Sequence, residues 1–233
     1  MPDRHDVSSR SYDPQELLGP LNDVELKYAP KQLFAAGRVE LLRERSRVAI
    51  VGTRRPSEEG VKRARRLARY LARNHVVVVS GLAEGIDTVA HQTAIDEGGD
   101  TIAVLGTPLT RAYPPSNAAL QRRMVGEQLV ITQFAPRAAV SRSNFPLRNR
   151  TMALISHASV IVEAGEGSGS LSQGWEALRL GRKLFIMRAV VEDASLSWPR
   201  ELLEHGADVL TRPEQVLAEL PPPGYWDAAD APF

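Results

Sequence analysis

Six short apolar runs rich in β-branched residues recur along this chain, with a helix-like stretch between most neighbours, and no other feature constrains its fold as strongly. Arg47-Val-Ala-Ile-Val-Gly52 and His75-Val-Val-Val-Val-Ser80 are apolar throughout their interiors. Each therefore reads as a strand buried on both faces. Comparable runs lie at 101–105, 129–132, 159–163 and 183–187. In the first intervening stretch Ser57 stands at an N-cap position, with Glu58 and Glu59 in the first turn. Val61, Ala64, Leu67, Ala68 and Leu71 then fall on one helical face, while Arg63, Arg66, Arg69 and Arg73 solvate the rest. Further helical patterns cover 85–97, 116–126, 147–157 and 170–180. The repeated strand–helix–strand order predicts an α/β fold, a doubly wound and mainly parallel sheet with helices on both faces.

The regular pattern occupies residues 47–220. Residues 1–46 show no period and contain Pro14, Pro20 and Pro30; they read as an irregular lead with one short helix around 31–36. Residues 221–233 open with Pro221-Pro-Pro-Gly-Tyr-Trp, which cannot continue a helix and reads as a tail. No apolar run approaches a membrane span, and the polar start Met-Pro-Asp-Arg-His-Asp is not a signal peptide, so a cytoplasmic protein without membrane association is expected. The absence of cysteine excludes disulfides, a thiolate nucleophile and cysteine-ligated metal. The net charge of +1 hides a separation: residues 101–150 carry 7 Lys/Arg against 1 Asp/Glu, whereas residues 151–233 carry 6 against 12. The middle segment is where a polyanionic partner is to be sought.

In an open parallel sheet ligands bind beyond the carboxyl ends of the strands, where loops and helix N-termini converge. The first such loop, Gly52-Thr53-Arg54, offers close backbone approach, a hydroxyl and a guanidinium fork, a combination suited to a phosphate. A solvated turn with surface arginines is the plainer alternative. Ser80 and Gly81 open a second small-residue loop. Beyond it, Asp87 and His91 share a helix face at i, i+4, where a capping carboxylate and a structural histidine are simpler than a metal pair. A third loop carries Arg111 and Tyr113. Residues 133–150 hold four arginines, among them Arg142, Arg148 and Arg150, together with Phe134, Phe145 and Asn149, and no acid. Guanidinium groups interleaved with rings suit single-stranded nucleic acid; the alternative is that the phenylalanines anchor a long loop to the core. A last loop, Gly167-Ser168-Gly169-Ser170, offers amides and hydroxyls before a helix, with Glu163 and Glu166 opposing an anion unless Glu163 orients an arginine such as Arg150. No nucleoside-triphosphatase, zinc-protease or serine-hydrolase template is present, so no catalytic residue, metal or cofactor is assigned.

Taken together, Val48-Ala-Ile-Val-Gly-Thr-Arg54, Ser80-Gly-Leu-Ala-Glu-Gly-Ile-Asp87, Thr101-Ile-Ala-Val-Leu-Gly106, Tyr113-Pro-Pro-Ser-Asn117, Phe145-Pro-Leu-Arg-Asn-Arg150 and Val162-Glu-Ala-Gly-Glu-Gly-Ser-Gly-Ser-Leu171 resemble the DprA/Smf DNA-processing proteins. The chain looks like a shortened member, without the small helical N-terminal or winged-helix-like C-terminal domain of many relatives. The resemblance implies an extended Rossmann-like domain that binds single-stranded DNA without chemistry. It also implies a homodimer that assists RecA loading in natural transformation and recombination. It places Gly52, Thr53 and Arg54 in a basic phosphate pocket and makes Phe145, Arg148, Asn149, Arg150 and Arg142 further contacts. The fold is also similar to that of the Lonely Guy phosphoribohydrolases, so a nucleotide-derivative sensor or hydrolase is the alternative. Ser172 and Gln173 stand where that hydrolase family carries an acid.

Overall fold

The computed structural model describes residues 10–221. The chain opens with β1 (Arg10–Tyr12), α1 (Pro14–Leu18), α2 (Asp23–Tyr28) and β2 (Leu33–Gly37), followed by a 3₁₀ turn at Val39–Leu42. The alternating part begins with β3 (Arg47–Gly52), α3 (Glu58–Arg73), β4 (Val77–Ser80), α4 (Ile86–Asp96), β5 (Thr101–Leu105), α5 (Ala118–Glu127) and β6 (Leu129–Thr132). It continues through α6 (Asn144–Ile155), β7 (Ala158–Glu163), α7 (Ser170–Arg179) and β8 (Lys183–Met187). The last elements are α8 (Arg188–Val191), α9 (Trp198–Glu204), β9 (Asp208–Leu210) and α10 (Glu214–Ala218).

These strands form one nine-stranded sheet in the order β1-β2-β6-β5-β4-β3-β7-β8-β9. From β6 to β9 every pairing is parallel, and β1 and β2 join one edge antiparallel. The α/β reading holds in this Rossmann-like sheet. The period-2 geometry of a strand explains why β3 is apolar at consecutive positions: Ala49 and Val51 pack into the core on one face of the sheet, Val48 and Ile50 into that on the other. Ser57 caps α3 as its position suggests, accepting a hydrogen bond from Gly60 N at 3.0 Å.

The N-terminal stretch departs from expectation. Residues 31–36, read as a short helix, include most of β2, and the supposedly irregular lead supplies two strands and two helices. The antiparallel edge was invisible as a pattern because β1 and β2 are only 3 and 5 residues long. Polar contacts that no local signal announces hold the stretch in place. Arg182 pairs with the buried Glu25 of α2, and Arg38 donates to Asp100 at 2.6 Å. Of the expected 221–233 tail, only Pro221 falls within the described residues; its carbonyl accepts from Ser46 Oγ at 3.0 Å.

Two histidines are built into the interior. His91 Nδ1 lies 2.7 Å from Thr101 Oγ1, and His157 Nδ1 accepts from the backbone N of Arg47 at 3.0 Å. Burial pushes the His91 pKa from 6.5 down to about 3. Burial, aided by Arg47 and Arg182, pushes that of His157 down to about 2. Below pH 6.5 the unfolded imidazoles take up protons that the folded ones refuse, so the unfolded state is favoured as pH falls towards those values. Between pH 7 and pH 5 each histidine is expected to remove about 2 kcal/mol of stability. Urea unfolding at the two pH values measures this, and an unchanged free energy would show that these imidazoles titrate normally.

Candidate nucleic-acid interface

The chain winds outward from β3 through β4, β5 and β6, then crosses back through α6 to place β7 on the other side of β3. The carboxyl ends of β3 and β7 therefore flank a topological switch point, where helices diverge and leave a crevice. A cavity of about 440 Å³ lies there. Three helices begin on its wall: Asp87 in the first turn of α4, Phe145 in that of α6 and Ser172 in that of α7 all line it. In none of the three does the N-cap residue's own side chain cap the helix, as Ser57 caps the neighbouring α3; the first N–H groups of α6 and α7 are instead met by the loops before them, Asn144 by the Ser141 carbonyl and Leu171 by that of Ser168. Three positive helix ends thus converge on one cavity, and such ends attract anions.

The Gly52–Thr53–Arg54 turn forms one lip. Thr53 N donates to the Glu163 carbonyl at 2.7 Å and Thr53 O accepts from Ile86 N at 3.2 Å, so the turn is tied to β7 and α4. Gly85 makes this approach possible. Its φ is +76°, and a Cβ there would lie 2.4 Å from Thr53 O. Arg54 is exposed and has no carboxylate partner among the described residues. Its guanidinium carbon stands 5.7 Å from the centroid of the half-buried Phe145 ring. That ring rests against Gly106 and is tilted on Tyr113 at 5.4 Å between centroids.

Beneath this lip lies Arg148, only 6% exposed. Its Nη1 donates to the Val104 carbonyl at 3.1 Å and stands 3.9 Å from Asp87 Oδ2. Asp87 in turn accepts from the backbone N–H groups of Gly81 and Ala83 at 3.1 and 3.3 Å. Burial raises the Asp87 pKa, opposed by Arg148 and by these N–H donors. The guanidinium lies directly across Gly81, where a Cβ would fall 1.2 Å from Nη1. Its Nε is buried without a hydrogen-bond partner among the described residues. Gln173 also lines the crevice, fully buried, with Oε1 unpartnered.

The crevice gathers most of the residues singled out from sequence. Gly52, Thr53, Arg54, Phe145, Arg148, Asn149, Ser168, Gly169 and Ser170 line it, and Gly81 lines a small annex beside it. Asn149 ties two walls together by donating to the Gly169 carbonyl at 3.1 Å. Gly167 sits exposed in the loop behind, with φ +67°. Arg142 is exposed on the 133–143 loop outside the lining. Two residues are turned away and correct the expectation. Ser80 is fully buried and donates to the Ile50 carbonyl at 2.7 Å. Arg150 reaches across from α6 to Glu176 of α7, at 3.2 Å, and over the Tyr28 ring at 5.2 Å. Glu163, offered as a partner for Arg150, instead accepts from Ser57 N and Oγ and from Arg63. Sequence reasoning missed Gln173 as a lining group and Asp87 as the counter-ion of Arg148; only their positions in the first turns of α7 and α4 hinted at either.

Fold and crevice define a Rossmann-like α/β protein with a crevice at its switch point, rimmed by helix N-termini and an exposed arginine. The chain belongs to the DNA recombination-mediator protein A family, whose model matches residues 10–221. It is 37% identical over 195 residues to the DNA processing protein DprA of Streptococcus pneumoniae, covering 84% of this chain and 68% of that protein. With DprA of Bacillus subtilis the identity is 33% over 192 residues, covering 82% and 65%. The X-ray structure of the Streptococcus pneumoniae protein superimposes with a TM-score of 0.79 at 34% identity, over 92% of this chain and 75% of that one. A Helicobacter pylori DprA structure, described for its single-stranded DNA binding mode, gives a TM-score of 0.77 at 27% identity, over 92% and 96%. The chain thus spans about two thirds of the length of these two curated relatives.

Asp87→Asn would leave the Arg148 charge buried and uncompensated, and is expected to cost about 3 kcal/mol in urea unfolding. Adding Arg148→Met should restore much of the loss, because the charge that needs a partner is then gone. A single variant as stable as wild type would mean that the pair is not structural.

Proposed function

We propose that this protein binds single-stranded DNA along the carboxyl edge of its sheet, with phosphates in the switch-point crevice and bases against its aromatic rim. The observation that carries the reading is the convergence of three helix N-termini beneath the exposed Arg54, which lies over Phe145. The positive helix ends and Arg54 suit phosphate oxygens, while Phe145 and Tyr113 offer faces that stack on any base. In this reading Gly52, Thr53, Arg54, Phe145, Asn149 and the 167–170 loop contact the strand. Arg148 holds the crevice in shape from below, and Arg142 reaches the strand from the neighbouring loop. Family membership and the described binding mode of the Helicobacter pylori relative support the same assignment. The proposal extends to the family's wider role: binding without bond cleavage, in a cytoplasmic homodimer that protects incoming strands and hands them to RecA during transformation.

A second reading has one observation in its favour. A volume of about 440 Å³ accommodates a single nucleotide, as a sensor of nucleotide derivatives would require. Titration of a labelled oligothymidylate and of a mononucleotide at several salt concentrations separates the two. The oligonucleotide should bind more tightly, with affinity falling as salt rises by a logarithmic slope of about −0.7 for each phosphate neutralised. Arg54→Ala should weaken it about tenfold, and reduce the slope by about 0.7, without shifting the melting temperature. Equal affinity for both ligands would favour the nucleotide sensor.

A further inference from the structure

The carboxyl edge carries a second cleft beyond the Glu163 loop. It measures about 370 Å³ and lies between α3 and the ends of β8 and β9. Leu67, Met187 and Leu210 give it an apolar floor, and Arg63, Arg66, Arg188 and Arg212 stand around it. Two of these cations are committed: Arg63 donates to Glu163 at 2.8 Å and Arg188 to Glu192 at 2.7 Å. Arg66 and Arg212 are exposed and have no carboxylate partner among the described residues. The Nε of Arg63 is a buried donor without an acceptor there.

Arginines around an apolar floor match a ligand with phosphate oxygens at one end and a flat, weakly polar surface at the other. A nucleotide unit has both. Position supplies the second argument. Along the edge the strands run β4, β3, β7, β8, β9, and neighbouring strands lie about 4.8 Å apart, so β8 sits about 10 Å from β3. A strand leaving the crevice at Arg54 needs only a few nucleotides to arrive. Glu163 fixes the separation: its carbonyl holds Thr53 N at 2.7 Å, and its carboxylate holds Ser57 N at 2.7 Å and Arg63 at 2.8 Å. The turn that carries Arg54 and the helix that carries Arg63 are thus referred to one residue.

We propose that this cleft is a second nucleotide subsite, through which the same single strand continues after leaving the switch-point crevice. The inference rests on the single-stranded DNA reading given above. An acidic peptide would satisfy the arginines, but continuity with the crevice along one edge favours the strand.

Fluorescence anisotropy with oligothymidylates of about 2 and about 12 nucleotides tests the subsite, using wild type, Arg54→Ala and the double variant Arg66→Ala, Arg212→Ala. The double variant is expected to bind the short oligonucleotide as wild type does. It should bind the long one about tenfold more weakly, with a salt slope smaller by about 1.4 for two lost phosphate contacts. Both side chains are exposed, so its melting temperature should be unchanged. If the double variant matches wild type on both lengths, or weakens both equally, the subsite is overturned. Should Arg54→Ala lose binding while the double variant keeps it, the crevice reading stands and only the second subsite falls. Wild type binding neither oligonucleotide would overturn both.

Discussion

A guanidinium taken out of water must be met by acceptors, and Arg148 shows how much of this protein follows from meeting that demand. It reaches from α6 to the carbonyl of Val104 at the end of β5, faces Asp87 on α4 and lies over Gly81 after β4. One side chain therefore ties α6 to the end of β5 and to the connection from β4 into α4 at the carboxyl edge. The cost of desolvating the charge makes the arrangement selective, since any shift of α4 or α6 would leave an ion buried without its partner. It also explains why an arginine in a loop rich in basic residues is not simply a surface cation. Arg148 works mostly inward, and its Nε is buried without a hydrogen-bond partner among the described residues.

The treatment of helix N-termini follows from the same economy of donors. The N-terminus of α3 is closed by Ser57, and Glu163 accepts from Ser57 and Arg63 beside it. Those of α4, α6 and α7 carry no side-chain cap and line the cavity. A capped helix end gains stability and loses affinity for an outside anion, because the capping oxygen already occupies the donors. The first N–H groups of α4, α6 and α7 are nonetheless largely tied to nearby loops, Ile86 to Thr53 O, Asn144 and Phe145 to the carbonyls of Ser141 and Arg142, and Leu171 to Ser168 O, so what these ends offer an anion is chiefly the positive end of the helix dipole. Glu163, lying between closed and open ends, separates one anion-attracting region of the edge from the next.

What could be read from the sequence was what local chemistry determines. Consecutive apolar positions in β3 and β4 announced strands buried on both faces, and parallel topology then dictated that loops such as Gly52–Arg54 and 167–170 would meet. Contacts made across long sequence separation were not legible. Arg150 sits two residues after Arg148 on α6, so the helical turn directs it about 200° away, to Glu176 and Tyr28. The spacing was available, but the acceptor that captures it lies 26 residues on. Ser80 ends a strand whose side chains alternate between two buried faces, and its hydroxyl is used by Ile50. The antiparallel edge escaped notice because strands this short carry no measurable period, and pairing of β2 with β6 and of β1 with β2 is what makes them strands.

The charge separation along the chain takes a different meaning in three dimensions. Of the seven arginines in 101–150, Arg123, Arg148 and Arg150 face carboxylates, and Arg122 lies on α5, the helix that leads into the opposite end of β6. Arg111, Arg137 and Arg142 remain exposed on loops at the carboxyl edge, where they join Arg54 and Arg55. The field that an approaching polyanion meets is thus weaker than the segment's net charge suggests, but it is concentrated at the edge where the helix N-termini open. These two sources respond differently to salt. Exposed guanidinium groups are screened over about 8–10 Å at physiological ionic strength, whereas helix ends inside a crevice are screened much less. The salt dependence of binding therefore counts the arginines, and the affinity that survives at high salt measures the helix ends and the rings.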